Sequence, residues 1–350
     1  MTRPYAVLRA GYPYVKTIGA RSRTIMPADV AIADDGTIYA LCQGSHYGKG
    51  KSGPIYITNI NDENLGSFAW RNLELPVKHC EYLWPCQIVL DSRGILYASD
   101  QAVSFLQMYT RDGHYLGRKG GEEGSEPGEF NRPSGLAVDA EDNLYVVDSL
   151  NHRIQKFDKD GRFISMFGEF GSEPGQFNMP WGIHVDSEHD EIYVADWRND
   201  RVQVFDTNWE FQFQFGESGS GKGQFRRPTG VAVDKDGDIY VCDWGNKRVQ
   251  LFDRKGKYLM QFLGDATISK LQLEQMLNRL SAKQRRIREE ADLEQEKFFE
   301  GIKSVRVGKD GLMYVPDFEH YRIQIYKKES YPLTEQQILP PLKVPTLNPN

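Results

Sequence analysis

Pro133-Ser-Gly-Leu-Ala-Val-Asp139 recurs as Pro180-Trp-Gly-Ile-His-Val-Asp186 and again as Pro228-Thr-Gly-Val-Ala-Val-Asp234. Weaker copies are Pro27-Ala-Asp-Val-Ala-Ile-Ala33, Pro85-Cys-Gln-Ile-Val-Leu-Asp91 and Ile302-Lys-Ser-Val-Arg-Val-Gly308, which makes six units. Each opening leads through a short turn to a strand bearing a tyrosine: Tyr39, Tyr97, Tyr145, Tyr193, Tyr240 and Tyr314. A third strand reads Arg153-Ile-Gln-Lys-Phe157, Arg201-Val-Gln-Val-Phe205, Arg248-Val-Gln-Leu-Phe252 and Arg322-Ile-Gln-Ile-Tyr326. A fourth is Phe163-Ile-Ser-Met-Phe-Gly168 or Tyr258-Leu-Met-Gln-Phe262. Four short alternating strands with Gly/Asp turns at intervals of about 8–12 residues describe one propeller blade, so the fold expected is an all-β six-bladed propeller.

Ring closure is written at the two ends of the chain. The last unit reaches its third strand at Tyr326 and continues into a Pro-rich tail (Pro340, Pro341, Pro345, Pro349) with no good fourth strand. The missing strand matches Tyr14-Val-Lys-Thr-Ile-Gly19, which would complete the last blade and leave few exposed edges. The organisation expected is an N-terminal segment (1–13), one propeller domain (14–330) and the C-terminal tail (331–350). Composition agrees: 33 Gly beside 18 Phe and 18 Tyr supply turns and strands rather than helices.

The formal net charge of −6 argues against a general polyanion binder, since phosphate-backbone affinity comes from clustered Lys and Arg. No apolar run at the N-terminus is long enough for a signal peptide, and none approaches the roughly 20 apolar residues of a membrane span. A soluble, cytoplasmic protein is expected, with its four cysteines reduced.

The run Gly-Leu-Ala-Val-Asp139, then Leu-Tyr-Val-Val-Asp148, then Asn151-His-Arg153-Ile-Gln-Lys-Phe-Asp158 resembles the NHL repeat. The resemblance covers roughly residues 14–328 apart from two insertions and is strongest over 133–264. It implies the propeller fold. It does not fix a function, because the family includes RNA-binding domains, protein-interaction domains and metal-dependent lyases.

Positions that keep one spacing read as scaffold. Asp148/Arg153, Asp196/Arg201, Asp243/Arg248 and Asp317/Arg322 suit a charge-assisted clamp across the turn between strands two and three. Gln107, Gln155, Gln203, Gln250 and Gln324 recur in the same way. Departures are more informative: Cys42 stands where the clamp Asp belongs in the first unit, and Phe105 where the Arg belongs in the second. Openings at 27, 85, 133, 180, 228 and 302 lie 58, 48, 47, 48 and 74 residues apart, so extra length enters units one and five. Loops after strand two and connections from strand four emerge on one face, which the insertions would crowd. The unit-five insertion (about 266–300) has apolar residues at helical spacing, with Thr267 or Ser269 as an N-cap. It would serve as a packed hairpin, a lid, or a docking element for a partner.

Three constellations carry candidate chemistry. Cys42, His46, His79 and Cys86, with Cys80 and Glu81 nearby, gather soft donors at the junction of units one and two, where a divalent metal (zinc or calcium) is the cofactor to consider. Strand one lines the channel, and there Asp29, Gln87 and Ser304 replace Gly135, Gly182 and Gly230, while His184 and Arg306 replace alanines. With Trp181, these six are the candidate ligand-binding residues; the alternative is that they fill the channel. Gly44 to Gly53 departs from a phosphate loop, since Ser45 stands in the Gly position and a strand pattern follows.

The resemblance also implies that family lyases place zinc-binding His just after the residue opening strand one. Those positions here are Ala28, Cys86, Ser134, Trp181, Thr229 and Lys303. RNA-binding members use a basic face. Arg132, Arg198, Arg226, Arg227 and Lys247 could contribute to one, diluted by acids such as Glu217, and nucleic acid is not the expected partner. The expectation is a scaffold binding a protein or small ligand at the loop-rich mouth, with a metal-dependent lyase or hydrolase as the alternative.

Overall fold

A computed structural model describes residues 8–19, 24–43, 55–69, 84–121, 123–270 and 295–332. Six four-stranded antiparallel sheets follow one another, and strand one of each blade touches strand one of the next. The fourth blade is representative, with strands Pro180–Asp186, Glu191–Asp196, Arg201–Asp206 and Phe211–Phe215. The sixth contains Arg306–Val307, Leu312–Asp317 and Arg322–Lys327, and its outer strand is the N-terminal Tyr14–Ile18. A two-stranded ribbon beyond it pairs Leu8–Gly11 with Glu329–Pro332.

Burial explains the strand patterns. Second and third strands are covered on both faces by the neighbouring blades, so runs such as Ile192-Tyr-Val-Ala-Asp196 are continuously buried. Fourth strands form the rim, and Phe211–Phe215 is largely exposed. The core therefore sits between blades: Val147 and Ile154 of the third blade pack with Ile183, Val194 and Phe205 of the fourth.

Four of the connections from strand four to the next strand one are pinned by an aromatic. Phe130, Phe177 and Phe225 are wholly buried and Phe299 nearly so, each contributing roughly 2–3 kcal/mol of burial. The clamp expected from the Asp/Arg spacing is present, with Nε of Arg153, Arg201, Arg248 and Arg322 within 2.8–2.9 Å of Asp148, Asp196, Asp243 and Asp317. It spans more than the turn. The Arg201 guanidinium also donates to the carbonyls of Ser172, Glu173 and Gln176 in the incoming connection, and the Asp196 carboxylate accepts the Asn178 N–H. Gln203 donates to the Gln176 carbonyl and to Asp196. Each clamp thus staples one blade to the connection arriving from the blade before it.

Around the channel, glycine permits close approach on one side. A Cβ on Gly182 would lie 2.6 Å from the Thr229 carbonyl oxygen and 2.9 Å from the Gly230 Cα, both backbone. Gly182→Ala is therefore expected to cost about 2 kcal/mol through overpacking, read as a lower urea midpoint at unchanged m-value.

Of the insertion expected to be helical, 271–294 lies outside the described residues. At its flanks the Ser269 hydroxyl donates to the Gly19 carbonyl at 2.6 Å, and Gln295–Lys297 form a 3-10 turn. No helix among the described residues is long and apolar enough to cross a membrane.

Candidate binding site at the loop-rich mouth

The residue before four of the five opening prolines lies in the left-handed region: Met26, Arg132, Met179 and Arg227 have φ of 53–57°. This costs on the order of 1 kcal/mol each. Two of these openings are held by the preceding blade, since the Met179 N–H donates to His152 Nδ1 at 3.0 Å and the Arg227 N–H to Asp200 at 2.6 Å. Because four blades share the device, it belongs to the blade opening. Its consequence is local, however, because it delivers Arg132 and Met179 to the wall of a cavity of about 730 Å³.

This cavity is ringed by blade openings and by the turns after strand two. Four tryptophans line it: Trp84 before an opening, Trp181 just after one, and Trp197 and Trp244 directly after clamp aspartates. Trp181 and Trp197 meet at 5.7 Å between ring centroids. The guanidinium groups of Arg227 and Arg198 lie 4.9 and 5.5 Å from the Trp197 ring. Arg132, Arg198 and Lys303 bring positive charge to the wall, and among the described residues Glu123 is the carboxylate that lines it with them. None of these three cations is in an ion pair among the described residues. Lys247, by contrast, is tied to Glu300, which narrows the basic stripe.

Lys303 is the least ordinary group in the cavity. Its Nζ sits 3.7 Å from the Phe318 ring centroid and 5.8 Å from that of Trp84, with one hydrogen bond, 3.3 Å, to Gln43 Oε1. Burial pushes its ammonium down to about 8, against opposing effects of Cys86 and Glu319.

The six candidate ligand residues do not form one site. Trp181 lines the cavity just described. Asp29, Gln87 and Ser304 are buried, and the first two form an internal network with Arg306. Arg306 Nε donates to Asp29 at 3.0 Å and its Nη2 to Asp29, Gln87 and Ile88, while Asp29 accepts the Ile88 N–H at 3.0 Å. Gln87 Oε1 accepts the Leu136 N–H at 3.0 Å and the Ser304 hydroxyl donates to the Ala28 carbonyl at 3.1 Å. Tight glycine contacts on one side and this network on the other fill the middle of the ring. Arg306 and His184 border a second cavity, of about 450 Å³, at the opposite mouth. Burial pushes the His184 imidazole down to about 4, opposed by Asp186 and aided to a lesser extent by Arg306.

Of the soft-donor set, His46 and His79 lie outside the described residues. Cys42 and Cys86 are buried, and their thiols donate to the carbonyls of Ala40 and Trp84. Burial pushes Cys42 up to about 12 and Cys86 higher still, which disfavours the thiolate that metal binding uses. Among the described residues no three His, Cys, Asp or Glu side chains are gathered as a metal site.

Trp84, Trp197 and Trp244 were not singled out by sequence reasoning. A signal existed, since all three flank repeat landmarks, the opening proline or the clamp aspartate, whose neighbours project to the same face.

The NHL repeat matches residues 130–157, 177–205 and 225–252, each running from an anchoring Phe of the connection to the end of strand three. Protein brain tumor of Drosophila melanogaster is 54% identical over 50 residues, 14% of this chain and 5% of that protein. The B-box type zinc finger protein ncl-1 of Caenorhabditis elegans is 53% identical over 45 residues, 13% of this chain and 5% of that protein. The chain thus matches about one-twentieth of the length of these curated relatives. Among solved structures, a Bacteroides thetaiotaomicron protein of unknown function aligns over 92% of this chain and 77% of its own, at 14% identity and TM-score 0.59. A virginiamycin B lyase from Staphylococcus aureus aligns over 91% of this chain and 99% of its own, at 11% identity and TM-score 0.54. At such identities the likeness is one of fold.

Proposed function

We propose that this chain, an NHL-repeat six-bladed β-propeller, is a binding protein whose site is the tryptophan-lined cavity at the loop-rich mouth. The observation that carries the reading is the combination of four indoles with three cations that have no carboxylate partner among the described residues. Trp181 is half-buried and Trp84 is 43% exposed, so apolar surface is offered to a ligand rather than spent in the core. The ligand this suits has an aromatic or apolar body and a negative charge, whether it is a small molecule or an acidic segment of a protein partner.

The lyase alternative would take its metal donors from the positions after each strand-one opening. Those positions carry Trp181, Thr229, Lys303, Ser134, Ala28 and a deeply buried Cys86, a set poor in imidazole and carboxylate. Support therefore lies with binding.

The test is selection from a displayed peptide library. Wild-type protein is expected to enrich peptides that pair aromatic with acidic residues, and Trp181→Ala or Trp197→Ala to weaken them at least tenfold. His184→Ala, at the opposite mouth, should leave them unchanged. The reading fails if His184→Ala abolishes binding while both tryptophan variants retain it.

A further inference from the structure

The amine of Lys303 has a setting that the binding role alone does not require. It opens onto the cavity, is boxed by the faces of Phe318 and Trp84, and has one neutral hydrogen-bond acceptor, the Gln43 amide oxygen. No carboxylate lies within ion-pair distance of it among the described residues. Lys328 is arranged otherwise, gripped by Asp234, Asp236 and Asp238 at 2.7–2.8 Å with its pKa raised, whereas Lys119 shares the aromatic neighbour and the lowered pKa but donates to the Gly161 carbonyl away from the cavity. With no counter-ion to offset burial, the charged form of this amine is disfavoured and more of it is present as the neutral nucleophile.

We propose that Lys303 forms an imine with carbonyl compounds that carry a carboxylate, the 2-oxo acids being the simplest class. This rests on the cavity being the binding site. Arg132 and Arg198 on the wall supply the guanidinium groups for the carboxylate, and the indoles supply faces for an apolar substituent. The Nζ lone pair attacks the carbonyl carbon, a C–N bond forms and the C=O π pair moves to oxygen, giving a carbinolamine. Both hydrogens of the neutral amine then leave with that oxygen as water, and the C=N bond is formed. No oxidant or reductant is consumed.

The experiment uses phenylpyruvate with sodium cyanoborohydride, which fixes the imine as a stable secondary amine, followed by peptide mass spectrometry of the full-length chain. Lys303 is expected to be labelled at least tenfold faster than the median of the other lysines. Its rate should rise with a midpoint near pH 8, where its neutral form appears, rather than near 10.5. Labelling no faster than at exposed Lys309, or with the midpoint of an ordinary lysine, overturns the proposal, and neither result depends on a variant folding. Phenylacetate, which has no reactive carbonyl, separates the two levels of inference through tryptophan fluorescence. If it binds and phenylpyruvate leaves no adduct, the imine is wrong and the cavity stands; if neither engages, the cavity's preference for aromatic acids fails as well. Lys303→Arg should bind phenylacetate and give no adduct at position 303.

Discussion

Arg201→Met is expected to destabilise the propeller by about 3–5 kcal/mol, because it leaves a buried carboxylate without its counter-charge. Asp196 is wholly buried, and without Arg201 it keeps the Asn178, Asn199 and Gln203 donors but no cation. The loss is not confined to one blade, since the same guanidinium holds three carbonyls of the connection from the third blade. The variant should also respond to pH in a diagnostic direction. Burial already raises the Asp196 carboxyl above its usual value, so the folded chain holds that proton more tightly than the unfolded chain does. Stability from this group therefore falls as pH rises from the unfolded value through the folded one. Removing Arg201 pushes the folded value further up, so the deficit should shrink as the pH is lowered from 7 toward 5. Urea titrations at both pH values measure this, and an equal deficit at each would mean that Asp196 is not the group left exposed to the loss. Arg153→Met, in the same clamp of the preceding blade, should behave alike.

Arg306→Met is expected to cost a similar 3–5 kcal/mol by a different route. Here the ion pair fills the channel rather than stapling a connection. Asp29 would keep the Ile88 N–H but lose both guanidinium contacts, and Gln87 Oε1 would lose one of its two donors. Other blades show what the ring does without the pair, with Gly135 and Ala137, or Gly230 and Ala232, at the equivalent positions. Asp29→Gly combined with Arg306→Ala should therefore recover more than half of the loss suffered by Arg306→Met, since no unpaired charge remains. If the double variant is the less stable of the two, the network is needed for packing more than for charge compensation. Peptide binding at the loop-rich mouth should survive in whichever variants fold, because none of these side chains lines that cavity.

What could be read from the sequence follows from which interactions use side chains. The repeat itself showed the blades, since alternation and turn residues are side-chain properties recurring six times. The Asp/Arg pairs were legible as a clamp, but their wider reach was not: Ser172, Glu173 and Gln176 take part through carbonyls, which carry no residue signature. The same limit hid the αL residues at 26, 132, 179 and 227, where the chain uses Met and Arg in place of the glycine such a φ favours. In the channel, sequence reasoning identified the residues that break the repeat but not their relation. Asp29, Gln87, Ser304 and Arg306 come from three blades, and only the ring brings the first-blade carboxylate to the sixth-blade guanidinium. Trp181 and His184, three residues apart, were grouped together, yet one end of strand one faces each mouth, which separates them.

The sixth blade gives the chain a temporal order. Ile18 pairs with Ile323, whereas Val202 finds Phe215 within its own blade. Closing a loop of about 300 residues rather than about a dozen costs roughly 3 kcal/mol more in chain entropy. During vectorial synthesis the middle blades can assemble as they leave the ribosome, while Tyr14–Ile18 waits for a partner about 300 residues later in the chain. Until then the nascent protein is an open arc with two unsatisfied ends, and a complete mouth exists only after the final strand arrives.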